Sequence, residues 1–426
     1  MKSRIKYVVI SSSTVLVVML LLGGMMGRSA SPEDTYRRLQ VFTEVLAKIK
    51  GDYVEEPNMQ TVTLGALNGL LESIDPYASY LSADQYKQYL ANRDSKRPHV
   101  GLILAKRFGY ISIVSAIPGS PAAKAGLGTG DMIETINGVS TRDMPLAYAD
   151  IMFQGDAGST VEISALRFRK PEPQKIPLTR AVIAYPAVTS KMLEGNIGYV
   201  QAQSLDGNKV KDVANAVAAL DKQGAQKLVL DLRSCSVGQP EDGLTLANLF
   251  MDKGQLGYLQ GQKVAKKVFD ADPAKIIFRK PLVVLTNRGT ATAAEVAAAA
   301  LLESKRAEVV GERTYGDAAL RKAITMDDGA AVILSVAKYY ASNGKAIQDT
   351  GVTPSVAQAE NEPAVEGEEE DPAAPQADKK SPGEDTVLKK GLEILIKGKP
   401  EAKQAAGTRK NDSSPAMNPL NIPRPR

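Results

Sequence analysis

The spacing of apolar residues between positions 32 and 91 predicts three helices. The first begins at Ser31, which is a good N-cap, and Pro32, which fits the first helical position. Its apolar positions are Tyr36, Leu39, Phe42, Val45, Leu46 and Ile49. The second helix is predicted at about 61–74 and the third at about 83–91. Together they predict a small helical domain, residues 31–97.

Short alternating strands replace the helical pattern between residues 100 and 169. Gly and Pro turns separate these strands, and the stretch SPAAKAGL predicts a short helix among them. The charged, Pro-rich stretch RKPEPQKIP marks the end of this region. The pattern therefore predicts a small β-rich module with two helices, which we assign to residues 98–182.

Strands and helices alternate in the next region, residues 183–355. The stretches KLVLDLRS and PLVVLTN are continuously apolar, as strands buried on both faces are. The amphipathic stretch GNKVKDVANAVAALDKQGA and the alanine-rich TAAEVAAAALLES predict helices. This order predicts an α/β core with its ligand chemistry at the carboxyl ends of the strands.

The last region, residues 356–426, predicts an acidic disordered linker, one short helix and a disordered tail. AENEPAVEGEEEDPAAPQ is rich in Glu, Pro and Ala and does not offer enough apolar surface for a core. The stretch DTVLKKGLEILIKG predicts an amphipathic helix. Its apolar side is formed by Val387, Leu388, Leu392, Leu395 and Ile396.

The N-terminal residues 1–30 predict a membrane anchor. Lys2, Arg4 and Lys6 precede an apolar run at about 7–26, which is long enough to cross a bilayer. The basic flank predicts that the rest of the chain lies outside the cytoplasmic membrane. Arg28 stands where a signal-peptide cleavage site would have a small residue, so an uncleaved anchor is favoured over a cleaved signal.

The composition excludes several kinds of functional site. The 426 residues include one cysteine, Cys235, and one histidine, His99. These exclude an internal disulfide framework and an ordinary Cys/His metal site, and we expect no cofactor. A Ser-His-Asp triad is excluded unless His99 serves in it, and His99, which follows a proline, is predicted to lie at the surface. The net charge of +5 is not gathered into a basic stripe with aromatic residues, so nucleic-acid binding is not expected.

Seven stretches, in this order, resemble the carboxyl-terminal processing peptidases, the tail-specific proteases of the bacterial envelope. They are KIKGDYVEEP, GALNGLLESIDPYASYLS, GSPAAKAGLGTGDMIETING, LVLDLRS, VVLTNRGTATAAEV, EVVGERTYG and KYYASNGKAIQDTGVTPS. The resemblance implies an α+β multidomain fold: an N-terminal membrane helix and helical domain, a PDZ-like module and a ClpP/crotonase-like α/β peptidase core. It also implies a place in the bacterial inner membrane with the bulk in the periplasm.

The resemblance further implies a Ser nucleophile, a Lys general base and a Gln that orients the Lys. The corresponding residues here are Thr292 in GTATAAE, Asp317 in YGDA, and Arg321. The Asn-Pro-Gly-Gly that follows the LDLR strand in the family is SCSVGQ here. All of these positions depart from the family pattern.

The substitutions bear directly on the chemistry. A buried Lys can become a neutral base near pH 7, whereas a carboxylate with an ordinary pKa is a far weaker base. Arg321 stays protonated and can pair with Asp317. Lys322 could replace the base only if it faced the same side, and an offset of five residues along a strand points it to the other face. Loss of peptidase activity is therefore favoured, and an endopeptidase with Thr292 as nucleophile is the alternative. GTATAAE then predicts a helix start capped by Thr290 or Thr292.

The PDZ-like module implies a second function, binding of protein C-terminal tails by strand addition. The carboxylate-binding loop and pairing strand correspond to Val100, Gly101, Leu102, Ile103 and Leu104. Gly101 is expected to free backbone N–H groups, and Lys106 and Arg107 to attract the carboxylate. Leu and Ile predict a preference for apolar tails. A homodimer through the N-terminal helices, or pairing with an active homologue, are the assemblies that remain open.

Overall fold

The computed structural model describes residues 32–92, 97–142, 144–167, 172–360 and 384–397. The chain divides into two compact units, Met1–Ser73 and Ile74–Arg426. None of the helices in these described ranges is long and apolar enough to cross a membrane. The predicted anchor at 7–26 lies outside the described residues.

The first unit contains the helices α1 (Pro32–Asp52) and α2 (Met59–Glu72). The Asn58 side chain caps α2 by accepting the backbone N–H groups of Gln60 and Thr61 at 3.0 and 3.2 Å. The first two predicted helices are thus found. The third predicted helix is also found, as α3 (Ala83–Asn92), and it lies in the second unit.

The β-rich module is one antiparallel sheet in the order β2-β3-β4-β6-β7, and β5 pairs with β4. Strand β2 lies at the edge of this sheet, so one side of its backbone can pair with an added strand. Two helices pack on the sheet, as predicted. The elements are β2 (Leu102–Arg107), β3 (Tyr110–Ala116), α4 (Pro121–Lys124), β4 (Met132–Ile136), β5 (Val139–Ser140), α5 (Leu146–Phe153), β6 (Thr160–Leu166) and β7 (Gln174–Thr179).

The α/β core is built on a second sheet in the order β17-β14-β13-β10-β9-β8. Its strands are parallel except β8, which pairs antiparallel with β9 at one edge. The two apolar stretches predicted as buried parallel strands are β10 and β13, neighbours at the centre. The strands are β8 (Thr189–Leu193), β9 (Ile197–Gln201), β10 (Lys227–Asp231), β13 (Leu282–Thr286), β14 (Glu308–Gly311) and β17 (Val356–Ala357).

Helices cover both faces of this sheet. One face packs against α6 (Lys209–Lys222), α7 (Pro240–Asn248) and α8 (Ala293–Glu303). The other face packs against α9 (Thr386–Lys397), whose Val387, Ile394 and Leu395 are buried. The predicted terminal helix is therefore part of the core. Ile396 was assigned to its apolar side, but it is 62% exposed, so that assignment is wrong.

A third sheet was not predicted. It runs β1-β16-β11-β12, and β15 pairs with β16. Its pairs join distant parts of the chain, such as Ser79 and Ile333, which local patterns do not reveal. The strands are β1 (Ser79–Leu81), β11 (Gln255–Gln260), β12 (Lys267–Asp270), β15 (Ala319–Thr325) and β16 (Ala331–Tyr340), and a short 3₁₀ helix covers Pro273–Lys275.

Helices α7 and α8 approach so closely that only glycine fits at position 243. A Cβ atom there would lie 2.0 Å from the carbonyl oxygen of Ala293. We expect Gly243→Ala to lower the free energy of unfolding by about 2–3 kcal/mol, although alanine usually stabilises a helix. Gly128→Ala is the control, because no atom lies within 4 Å of its Cβ position. We expect it to be neutral or stabilising by up to about 1 kcal/mol in urea unfolding, and an equal effect of both changes would contradict the packing argument.

Candidate functional site

The candidate site lies where β10 and β13 end and α8 begins. The side chain of Asn287, just after β13, accepts the N–H groups of Ser234 and Gly289 at 2.8 and 3.1 Å. The Thr290 hydroxyl donates to the Leu232 carbonyl at 2.9 Å and accepts the Asn287 N–H at 3.0 Å. These bonds tie the turn before α8 to the loop after β10. Carboxyl ends of adjacent parallel strands thus form the site, as the core pattern predicts.

Thr292 stands at the N-cap position of α8 in an unusual backbone conformation, with φ 52° and ψ −118°. A positive φ is costly for a β-branched residue and indicates a strained turn between a strand and a helix. Such a turn presents its side chain at the surface of a site, as in hydrolases with a nucleophile at this point. Here the Thr292 hydroxyl donates to the Ser236 carbonyl at 3.3 Å. It is therefore directed to a backbone acceptor and not to a basic side chain.

Glu295, one turn into α8, organises the centre of the site. It is fully buried, and its carboxylate accepts N–H groups from Thr292 at 3.1 Å, Gly316 at 2.6 Å and Asp317 at 2.8 Å. It also accepts the Thr314 hydroxyl. Burial raises the pKa of Glu295 to about 7, against the opposing effect of these hydrogen bonds. One carboxylate oxygen, Oε2, therefore joins the Thr292 and Asp317 backbones.

Asp317 and Arg321 form an ion pair beside Thr292. The Arg321 guanidinium also lies 4.0 Å from the centre of the Tyr77 ring, as in a cation–π contact. Burial alone would lower the pKa of Arg321, but the charge of Asp317 outweighs it and the pKa lies above its usual value. Lys322, the neighbouring strand residue, is exposed, so it does not enter the site. The structure therefore brings Thr292, Asp317 and Arg321 together, with Asp317 and Arg321 paired.

The loop SCSVGQ connects the core to the β-rich module. The Ser236 hydroxyl lies 2.5 Å from the Ser115 hydroxyl of β3, and both side chains are buried. Ala291 and Tyr315 pack against the apolar core of the module, and Arg107 lies over the Tyr315 ring. The module therefore packs directly against the turn that carries Thr292.

Cys235 is an inert residue of this loop. It is fully buried, and burial raises the pKa of its thiol above the usual range, so the reactive thiolate is not formed near pH 7. Its carbonyl accepts the Ala291 N–H at 2.9 Å. Across the described ranges, no three His, Cys, Asp or Glu side chains are grouped so that they could hold a metal ion.

The predicted peptide-binding residues surround the start of β2, but two of them serve the loop itself. The Gly101 N–H donates to Nδ1 of His99 at 3.1 Å, and the Val100 carbonyl accepts the Ala122 N–H at 3.0 Å. The N–H of Gly101 itself is therefore used within the loop. Glycine is required there for another reason, because φ is +82° and a Cβ would lie 2.2 Å from Cβ of Ser120.

A cavity of about 340 Å³ opens at this end of β2, between β2 and α5. Leu102 lines it, whereas Leu104 is buried and Ile103 is half-buried farther along the strand. Arg97 and His99 also line the cavity. The predictions missed both, since His99 was assigned to the surface and Lys106 and Arg107 were expected to attract the carboxylate. Arg107 contacts Tyr315 at the far end of β2 instead.

Comparison with known protein families matches two parts of this architecture. Residues 196–358, the α/β core, match the model described as Peptidase family S41. Residues 112–167, within the β-rich module, match the model described as PDZ domain. The match to the core includes Thr292, Glu295, Asp317 and Arg321.

Curated relatives match most of this chain. The carboxy-terminal processing protease CtpA of Bacillus subtilis is 34% identical over 334 residues, which cover 77% of this chain and 70% of that protein. The carboxy-terminal-processing protease of Bartonella bacilliformis is 30% identical over 329 residues, covering 76% of each chain. Among solved structures, the photosystem II D1 C-terminal processing protease superposes with a TM-score of 0.63 at 28% identity, covering 75% of this chain and 92% of that one.

Proposed function

Because the chain belongs to the carboxy-terminal processing proteases of peptidase family S41, we propose that it binds protein C-terminal tails and has lost the peptidase activity of its family. The tails bind through the PDZ domain. The main observation that supports a loss of peptidase activity is the ion pair between Asp317 and Arg321.

The ion pair removes the general base that a hydroxyl nucleophile needs. Asp317 is hydrogen-bonded to a guanidinium that remains protonated at every accessible pH, so its carboxylate is neutralised by a fixed positive charge. Arg321 has no lone pair to accept a proton. Glu295 is already the acceptor of three backbone N–H groups and one hydroxyl. Among the described residues, the side chains around Thr292 therefore include no group free to take its proton.

Tail binding is supported by the edge position of β2 and by the cavity at its start. An extended peptide can add to the open side of β2 through backbone hydrogen bonds, and its terminal carboxylate then reaches the cavity. Arg97 and His99 supply the positive charge and the N–H donor there.

The protein acts at the outer side of the bacterial inner membrane, with residues 7–26 as its anchor. This proposal is supported by Lys2, Arg4 and Lys6 before the apolar run. A homodimer is supported by α1, on which Leu39, Phe42 and Val45 are 55%, 41% and 51% exposed. Pairing with an active homologue is the other assembly consistent with a non-catalytic member.

The test is incubation of the full-length protein, kept in detergent, with an unfolded protein and with peptides that end in a free or an amidated carboxyl group. We expect no cleavage above background by the parent or by Thr292→Ala, because both lack a base. We expect the free-carboxylate peptides to bind at least about tenfold more tightly than the amidated ones. Cleavage by the parent that disappears in Thr292→Ala would instead establish Thr292 as a nucleophile.

A further inference from the structure

The cavity at the start of β2 combines two kinds of polar group. One side carries Arg97 and His99, from the segment that enters β2. The opposite side carries Asp150 of α5 and Gln154, which directly follows α5. The lining also includes Tyr89 and Asn92 of α3 and the apolar side chains of Leu102 and Ile151. A volume of about 340 Å³ lies within the usual range of ligand pockets, roughly 300–1,000 Å³.

The His99 side of the cavity is a donor side. His99 Nδ1 accepts the Gly101 N–H, so the neutral ring carries its proton on Nε2. Burial lowers the pKa of His99, which favours this neutral form at pH 7. Two backbone bonds with Ala181, at 2.9 and 3.0 Å, hold the residue in place. With Arg97, this side can receive a carboxylate.

The Asp150 side of the cavity consists of unused acceptors. Gln154 Oε1 is buried and has no hydrogen-bond partner within the described part of the chain. Asp150 is exposed to the cavity and forms no hydrogen bond or ion pair with another described residue. Buried acceptors without partners are costly, so this side is matched to a ligand that brings N–H donors.

The neighbouring arginines do not fill these acceptors. Arg180 lies close to the end of α5, but its guanidinium donates to the carbonyls of Met152, Phe153 and Thr160 and to the Ser159 hydroxyl. Burial raises the pKa of Asp150 to about 7, and the positive charge of Arg321, which is hydrogen-bonded to Asp317, opposes this rise. A cationic group bound beside Asp150 would favour its ionised form further, so this carboxyl group is matched to a positively charged ligand.

We propose that this cavity selects C-terminal tails with a lysine or arginine among their last three residues. The aliphatic stem lies between Leu102 and Ile151, the cationic end donates to Asp150 and Gln154, and the terminal carboxylate faces Arg97 and His99. The inference rests on the proposed tail binding and changes its expected specificity. The apolar residues of β2 alone predict a preference for apolar tails. The polar lining of the cavity adds a requirement for one positively charged residue in the tail.

The test uses fluorescence anisotropy with the full-length protein in detergent at about 0.15 M salt, where distant surface charges are screened. Labelled peptides carry Lys, Leu or Glu in turn at each of their last three positions, and each is made with a free and an amidated carboxyl group. At one of these positions we expect the Lys peptide to bind about tenfold more tightly than the Glu peptide. In Asp150→Lys the order should reverse.

Asp156→Lys is the matched control, because Asp156 is exposed just beyond α5 and does not line the cavity. It changes net charge by the same amount and should keep the preference for Lys. Equal binding of free and amidated peptides would contradict tail binding itself. Carboxylate-dependent binding without a Lys preference, or a preference that Asp156→Lys abolishes and Asp150→Lys does not, would overturn only the cavity assignment. Thermal unfolding of each variant verifies that it is folded.

Discussion

A variant with Thr292→Ser, Asp317→Lys and Arg321→Gln is expected to cleave an unfolded protein at least about 10³-fold faster than the parent chain. The structure supplies the reason. Thr292 and Asp317 donate their backbone N–H groups to the same oxygen of Glu295, so a lysine at position 317 starts close to the hydroxyl at position 292. Glutamine at position 321 removes the guanidinium that would repel this lysine. The variant thus acquires a base, a less hindered hydroxyl and an uncharged neighbour together.

The matched control for this experiment has the same changes at 317 and 321 but carries Thr292→Ala. It should fold like the triple variant and show no cleavage, because it has no nucleophile. Single and double variants should stay close to background, since the groups of a catalytic unit act together. A triple variant that unfolds at the parent temperature and still cleaves nothing would show that these three positions do not account for the proposed loss of activity.

The candidate site was predictable where it depends on local patterns. The apolar stretches before Asp231 and Thr286 identify the buried strands β10 and β13, and the small residues before Ala293 identify a helix start. Lys322 is exposed, in agreement with the prediction that it does not face the site, although Asp317 lies before β15 and a register shift separates Leu320 from Arg321. The ion pair between Asp317 and Arg321 was predicted from their opposite charges alone.

The remaining features depend on contacts between distant residues. His99 follows a proline and resembles a linker residue, but its backbone pairs with Ala181 and its ring with Gly101, which brings it into the cavity. Helix α9 is separated from β17 by an acidic segment, so its sequence shows an apolar side and not the sheet on which that side packs. Gly391 allows this packing, since a Cβ there would lie 2.8 Å from Leu285.

The full role of Glu295 could not be predicted from the sequence either. Its position three residues after Thr292 is typical of a helix capping residue. The structure adds Gly316 and Asp317, which follow β14, as donors to the same carboxylate. Glu295 therefore holds the strained Thr292 turn and the Asp317 segment together, whether or not the site catalyses a reaction.

Replacing Glu295 by leucine is expected to lower the free energy of unfolding by at least about 4 kcal/mol, the largest stability effect in the site. The change leaves the N–H groups of Thr292, Gly316 and Asp317 and the Thr314 hydroxyl without their acceptor. Each buried donor left unpaired costs about 1–3 kcal/mol. Urea unfolding at fixed pH measures the loss. Glu303→Leu, at the other end of α8, is the control and should cost less than about 1 kcal/mol.

The same carboxyl group should also make stability depend on pH. Its pKa rises from 4.5 in the unfolded chain to about 7 in the folded protein. Between these values the folded state binds more protons, so the free energy of unfolding falls as pH rises from about 4.5 to about 7. The shift corresponds to about 3 kcal/mol, since one pKa unit is about 1.4 kcal/mol. Glu295→Gln cannot ionise, so its unfolding free energy should lack this decline, whereas Glu303→Gln should retain it. An unchanged pH dependence in Glu295→Gln would show that the folded protein holds this carboxyl group at an ordinary pKa.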